Sequence, residues 1–141
     1  MEKNKEIKFK LKGIELLDVQ LNHPKESLPA QITFHFDINL EHRINVKNKL
    51  VIVICNIKVV NENKSATLGS LKASCIYNVV NIADFIEPDQ KQVNFPKDII
   101  TTFNSITVST VRGIMFSQFR GTFLHNAYLP IINPQSFTVN K

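Results

Sequence analysis

The residue types that most often carry out chemistry are few in this chain and widely spaced. Its four histidines, at positions 23, 35, 42 and 125, include no pair at i and i+4 with an intervening glutamate, the spacing of a helical zinc site. His35 and Asp37 share one face of a predicted strand, where such polar pairs are usually solvated. The sequence therefore predicts neither a catalytic residue nor a metal site.

Nucleophile and cofactor motifs are equally sparse. Cys55 and Cys75 lack the close spacing of a zinc or redox pair, and their apolar neighbours favour buried, reduced thiols over a disulfide. The four glycines do not form a phosphate-binding loop, and no serine lies in a G-x-S-x-G elbow. We therefore expect a protein that is not an enzyme and that has no cofactor.

Length and composition indicate one folded domain spanning residues 1–141. Hydrophobic residues make up 43% of the chain and charged residues 21%, which is ordinary globular composition. The longest apolar run, Leu50 to Cys55, is far shorter than the roughly 20 residues that a membrane-spanning helix needs. The N-terminus also lacks the pattern of a secretory signal. We expect no membrane insertion and a cytoplasmic location.

The net charge of +5 raises the possibility of a nucleic-acid partner, because its densest part is the N-terminal lysine series. Lys8, Lys10 and Lys12, however, alternate with apolar residues, as on a strand with one solvated face. Lysines also discourage unwanted pairing at a sheet edge. The sequence therefore favours a solvated strand face, without nucleic acid as a partner.

Four strands are predicted in the first two thirds of the chain. The clearest contains Ile32 to Leu40, where apolar and polar residues alternate. Another covers Ile7 to Leu21 with a bend or bulge near Gly13, where Ile14 and Leu16 fall out of phase and are expected to face the other way. The remaining two run through 49–60 and 66–80. Short polar connections between them predict an antiparallel meander.

A helix and an apolar segment are predicted after the sheet. From Lys97 the apolar residues recur every three or four positions as far as Met115, and Asp98 suits the first helical turn. Beyond Gly121, prolines exclude a long regular element, yet the segment is rich in large apolar side chains. Its own core, a neighbouring subunit or a bound client must cover it. The predicted fold class is α+β.

Two short motifs resemble those of the SecB family of protein-export chaperones. The run Arg120-Gly121-Thr122-Phe123 is similar to the family's Arg-Gly-Thr-Phe, and Asn94-Phe95-Pro96 resembles its Leu-Phe-Pro before the helix. The interval between the motifs is longer than in the family by about three helical turns. An alternative match therefore places the arginine and glycine at Arg112-Gly113, with residues 114–126 as an insertion.

The resemblance implies a four-stranded antiparallel sheet followed by helices, assembled as a dimer of dimers. It implies an ATP-independent holdase that binds unfolded preproteins or other aggregation-prone clients through apolar grooves and supports protein export. Familiar members meet the SecA motor through an acidic sheet face, so the basic charge of this chain and its end at Lys141 leave that partner open. The candidates for groove or oligomer interface are Phe119, Phe123, Tyr128, Leu129, Ile131, Ile132 and Phe137.

One alternative remains at this stage. The apolar C-terminal segment could be wholly buried in a homo-oligomer of a structural or adaptor protein that binds no client. The two hypotheses differ in whether the native protein offers apolar surface to other chains.

Overall fold

In the part of the chain that the structure describes, the fold consists of one antiparallel sheet and one long helix. The computed structural model describes residues 6–24, 32–89 and 92–131. The elements, in chain order, are β1 (Phe9–Leu21), β2 (His35–Asn45), β3 (Leu50–Val60), β4 (Thr67–Val79), a 3₁₀ turn (Ile82–Phe85) and α1 (Lys97–Phe119). No helix in the described ranges is both long and apolar enough to cross a bilayer.

The strand order in the sheet is β1-β4-β3-β2, and every neighbouring pair is antiparallel. The predicted α+β class, the four-stranded sheet and the following helix are confirmed. The meander holds only for β2 to β4, because β1 pairs with β4 instead of β2. Positions 22–34 separate β1 from β2 along the chain, and the strand order is that of a Greek key.

Two bulges shape β1. Its register against β4 shifts between Leu11 and Gly13 and again between Leu16 and Asp18. The first shift confirms the bulge predicted near Gly13. The prediction that Ile14 and Leu16 point to the face opposite Leu11 and Val19 is wrong. Each bulge inserts one residue without a partner in β4, so the apolar residues before and after it point to the same face of the sheet. As a result, the apolar residues of β1 that pair with β4 share one face and lie opposite the helix-facing residues of β4; they are Phe9, Leu11, Ile14, Leu16, Val19 and Leu21. Leu17 lies in the second bulge.

The core lies between α1 and the two central strands. On the helix side, alternate residues of β3 and β4 are fully buried, including Val53, Cys55 and Cys75. The helix adds Phe103, Val111 and Met115 from its inner face. The predicted helical spacing is confirmed, and α1 packs over β3 and β4. The apolar face of β1 lies to one side of it.

Aromatic contacts fix the first half of α1. The ring of Phe103 lies 5.0 Å from Phe9, 4.8 Å from Tyr77 and 5.9 Å from Phe95, measured between centroids. The Tyr77 hydroxyl oxygen is 2.8 Å from that of Thr107, which is fully buried. Because β1, β4 and the segment before α1 all contribute to this cluster, the helix begins at a defined place on the sheet.

Gly69 is the position where the sheet tolerates no side chain. An ideal Cβ there would lie 2.6 Å from Leu124 Cδ1 and 3.0 Å from the backbone oxygen of Gln20. We predict that Gly69→Ala lowers the free energy of unfolding by about 1–3 kcal/mol, because the added methyl overpacks the core. Urea-induced unfolding measures this loss.

The matched control is Gly113→Ala, which replaces an exposed helical glycine with nothing within 4 Å of the new Cβ. It should stabilise the protein by about 0.5–1 kcal/mol, because alanine has the higher helix propensity. Equal stability of the two variants would contradict this account of Gly69.

Candidate functional site

The chain turns sharply after α1 and returns along the core. Gly121 ends the helix with φ of +80°, a conformation that favours glycine, and the Thr122 hydroxyl donates a 2.6 Å hydrogen bond to the Phe119 carbonyl. Leu124 and Leu129 then become buried. The motif Arg120-Gly121-Thr122-Phe123 is therefore the helix terminus and the first turn beyond it, whereas Arg112 and Gly113 lie inside α1.

Arg112 fastens this returning segment to α1. Its guanidinium donates one hydrogen bond from Nε to the Leu129 carbonyl at 3.0 Å and another from Nη2 to the Pro130 carbonyl at 2.9 Å. Both acceptors lie in a stretch without regular backbone pairing, so these two bonds define the path of the chain as far as Ile131.

The predicted site residues are divided by this arrangement. Phe119 and Leu129 are buried in the core of the chain itself. Phe123 is half-buried beside His23, with 4.8 Å between ring centroids. Tyr128 and Ile131 are exposed by 57% and 93%. The structure therefore does not bring the five described candidates into one groove, and Ile132 and Phe137 lie outside the described residues.

A small aromatic surface remains at the end of α1. The ring of Tyr128 stacks on Phe116, with 5.9 Å between centroids, and both side chains are more than half exposed. Ile131 follows in the same segment. Whether these residues contact a client or a sister subunit stays a prediction.

Replacing Arg112 tests whether its two hydrogen bonds hold the returning segment against α1. We predict that Arg112→Met, which keeps the apolar stem, frees the segment after Gly121 and speeds chymotrypsin cleavage after Tyr128, because two charge-assisted hydrogen bonds are lost. Mass spectrometry of the timed digest locates the cut. Arg120→Met, at the exposed helix end, is the matched control and should cleave at the wild-type rate; equal acceleration in both variants would contradict the role of Arg112.

A cleft lies at the other end of α1, where the N-terminal segment meets the connection from β4. Its cavity volume is about 830 Å³, and it is open to solvent. Apolar side chains from three segments line it: Ile7, Phe85, Ile86, Pro88, Phe95, Pro96 and Ile99. The sequence alone did not predict this cleft, although the clustering of Phe85, Phe95 and Phe103 around predicted loop residues was a usable signal.

Carboxylates surround the apolar lining of the cleft. Glu6, Asp84, Glu87 and Asp98 all contribute to its wall, and none of the lysines and arginines in the described ranges does so. Asp84 accepts a hydrogen bond from Asn81, and Glu87 accepts one from Asn94. The cleft is thus locally acidic in a chain of net charge +5. Its chemistry fits a ligand that is apolar or aromatic and positively charged.

A second apolar surface follows β1. Leu11, Ile14 and Leu16 point to the helix side of the sheet but are 45%, 46% and 44% exposed, because α1 does not extend over them. Three large aliphatic side chains in one row form an apolar strip at the sheet edge. The sequence predicted these residues as parts of a strand but assigned two of them to the opposite face.

A part-buried polar contact joins β2 to α1. His42 donates from Nε2 to Asn104 Oδ1 at 2.6 Å, and its other ring nitrogen is buried without a hydrogen-bond partner among the described residues. Desolvation by burial lowers the pKa of His42 below 6.5, more than the hydrogen bond to Asn104 raises it. The folded chain therefore holds this imidazole neutral.

The depressed pKa gives folding stability a defined pH dependence. Below pH 6.5 the unfolded chain binds a proton at His42 more readily than the folded chain, so the free energy of unfolding falls as the pH is lowered through the folded-state pKa. We predict that His42→Gln, which can still donate to Asn104, flattens the decline between pH 7 and 5 in chemical denaturation. An unchanged slope would contradict this assignment.

The buried thiols and phenol have no features of nucleophiles. Cys55 and Cys75 are free and buried, as predicted. Burial, with a smaller contribution from Cys75, raises the pKa of Cys55 to about 12, so its thiolate is scarce at neutral pH. Burial also raises the pKa of Tyr77. Within the described part of the chain, no three His, Cys, Asp or Glu side chains converge to hold a metal ion.

Comparison with known proteins gives a likeness at the level of fold. No protein-family model and no curated protein sequence matches the chain. A solved structure that matches is the SecB-like chaperone of Mycobacterium tuberculosis in complex with a ChAD peptide from the HigA1 antitoxin. The TM-score is 0.62 over 88% of this chain and 90% of that one, at 11% sequence identity. The SecB-like fold predicted from the sequence is confirmed at this level.

Proposed function

We propose that this protein is an ATP-independent holdase chaperone that binds unfolded preproteins and other aggregation-prone polypeptides. The observation that carries the proposal is the likeness in fold, over nearly the whole chain, to a chaperone that was solved with a bound peptide. Such binding needs no catalytic group, because capture depends on apolar surface left open by the native fold.

The acidic cleft supports this function and suggests which client segments it holds. Its surface offers the partly exposed side chains of Ile7 and Ile86 next to the largely buried rings of Phe85 and Phe95. Glu87 and Asp98 contribute carboxylates. Unfolded segments that combine aromatic or aliphatic residues with lysine or arginine fit both features. We propose that such segments dock in the cleft beside the start of α1.

Self-association belongs to the same proposal. The apolar strip on β1 and the Phe116–Tyr128 surface are each partly bare in a single chain, and burial in a homo-oligomer would stabilise both. We propose assembly as a dimer of dimers in the cytoplasm. A role in protein export is part of this proposal.

Docking to the SecA motor has weaker support. Familiar members of the SecB family use an acidic sheet face, whereas here the face away from α1 is mixed in charge. By strand register it holds the carboxylates of Glu15, Asp18, Asp37 and Glu41 together with the basic groups of Lys10, Arg43, Lys58 and Lys72. A balanced face gives an oppositely charged partner little long-range attraction.

A structural or adaptor role is the second candidate. The burial of Leu124 and Leu129 favours it, because part of the apolar C-terminal segment is already covered by its own chain. The adaptor hypothesis predicts a folded oligomer that captures no client.

Aggregation of a chemically unfolded client, followed by light scattering, separates the two. The holdase should suppress scattering when present at about the concentration of the client, without ATP. Folded protein that protects none of several clients would refute the holdase and leave the adaptor.

The cleft itself is tested by reversing one of its charges. We predict that Glu87→Lys weakens the capture of a client segment rich in lysine and aromatic residues several-fold, because it places a like charge beside the ligand. Fluorescence anisotropy of a labelled segment measures the change in Kd.

Glu62→Lys makes the same charge change in the turn between β3 and β4, at the far end of β4 from the cleft. It should retain the wild-type affinity. Equal weakening by both variants would indicate a general effect of net charge and would contradict binding in the cleft.

A further inference from the structure

The N-terminal segment of the chain forms part of the wall of the acidic cleft. Glu6 and Ile7 both line the cleft, and Phe9 follows at the start of β1. The backbone of this segment is held beside β4, because the Val80 amide donates a 2.8 Å hydrogen bond to the Lys8 carbonyl. Residues 1–5, which lie outside the described ranges, are therefore joined to the structure at the cleft wall.

Asn81 fixes the direction in which the chain runs at this point. Its Oδ1 accepts a 2.8 Å hydrogen bond from the Lys8 amide, and its Nδ2 donates to the Glu6 carbonyl at 2.7 Å. The same Nδ2 is 3.2 Å from Asp84 Oδ2, on the wall of the cleft. One side chain thus holds the backbone on both sides of Ile7 against the cleft, and the chain before Glu6 begins there.

We propose that residues 1–5 dock in the acidic cleft of their own chain and compete there with clients. The N-terminal segment is then a built-in inhibitor of capture, with the sequence Met1-Glu2-Lys3-Asn4-Lys5. The competition rests on the proposed function, because it requires that clients use the cleft, whereas the docking does not.

The alternation of side chains directs the two lysines of the segment to the cleft. Phe9 points to the α1 side of the sheet, where its ring lies 5.0 Å from Phe103 between centroids. Ile7, two residues earlier, lines the cleft. In an extended chain every second side chain points the same way. A segment that docks in extended form therefore turns Lys5 and Lys3 toward the cleft.

The chemistry of the segment complements that of the cleft. Four carboxylates line the wall, and no lysine or arginine of the described ranges does so. Lys3 and Lys5 supply two ammonium groups, and Met1 adds a flexible apolar side chain of a kind that fits irregular apolar surfaces. Glu2, the acidic residue of the segment, has the opposite parity to both lysines. The segment thus belongs to the same basic and apolar class as the proposed clients.

The segment is long enough to fill the cleft. Five extended residues span at most about 17 Å, whereas a cleft of about 830 Å³ is roughly 9 Å across if its three dimensions are equal. A segment on so short a tether acts at an effective concentration in the mM range. Even a weak contact then occupies the cleft in a large fraction of molecules, and the apparent Kd of a client rises by the inverse of the open fraction.

Zero-length cross-linking tests the docking without a client. A carbodiimide joins a lysine amine to a carboxylate that it contacts, so the wild-type protein should form amide links from Lys3 or Lys5 to Glu87 or Asp98. Mass spectrometry of the digest locates the links, and a mixture of unlabelled and isotope-labelled protein shows whether each lies within one chain. Links between chains only, or none to these two carboxylates, would overturn the docking.

Charge reversal tests the competition. The double variant Lys3→Glu, Lys5→Glu should lower the Kd of a labelled segment rich in lysine and aromatic residues several-fold, because the internal competitor is repelled from the cleft. Fluorescence anisotropy measures the change.

The matched control is the double variant Lys8→Glu, Lys10→Glu, which makes the same change of charge at exposed positions of the opposite parity. It should retain an affinity close to that of the wild type. Equal strengthening in the two double variants would indicate an effect of net charge and would refute the competition.

The two experiments together separate this proposal from the proposed function. Links within one chain, in a protein that binds no client segment in any variant, would support the docking and refute client capture. Client binding of equal strength in the wild type and the Lys3→Glu, Lys5→Glu variant, without a link to Glu87 or Asp98, would refute the docking and leave the proposed function.

Discussion

Among the described residues, the helix α1 packs on a sheet wider than itself, and the other features of the molecule depend on this packing. Four strands spaced about 4.8 Å apart are wider than one helix, whose diameter with side chains is about 10–12 Å. Because α1 lies over β3 and β4, the core is complete beneath it and incomplete beside it. Leu11, Ile14 and Leu16 are left in the uncovered margin. The exposed strip is thus a consequence of geometry and not of an unusual sequence.

The elements that repeat a local pattern could be predicted from the sequence. The alternation around Phe36 and Leu40 and the helical spacing from Ile99 to Met115 are read over neighbouring residues, so they do not depend on tertiary context. The pairing of β1 with β4 could not be predicted in this way, because strand order depends on contacts between distant parts of the chain. The second bulge of β1 was not predicted, because a bulge shifts the alternation of apolar and polar residues from which the faces of a strand are predicted.

The candidate site was harder to predict than the fold. The apolar C-terminal segment was identified by composition, but composition does not distinguish Leu129, which returns to the core, from Ile131, which projects into solvent. That division depends on Arg112, whose hydrogen bonds set the path of the segment. The acidic cleft is assembled from three separate stretches of chain, so no single stretch carries its pattern.

The proposed function requires that the native fold leaves apolar surface open for its own copies and for unfolded clients. Native mass spectrometry of the protein alone and with one unfolded client tests this most directly. We predict an even-numbered assembly of the 16.1 kDa chain that gains the mass of the client. A monomer that gains no mass from any client would contradict it.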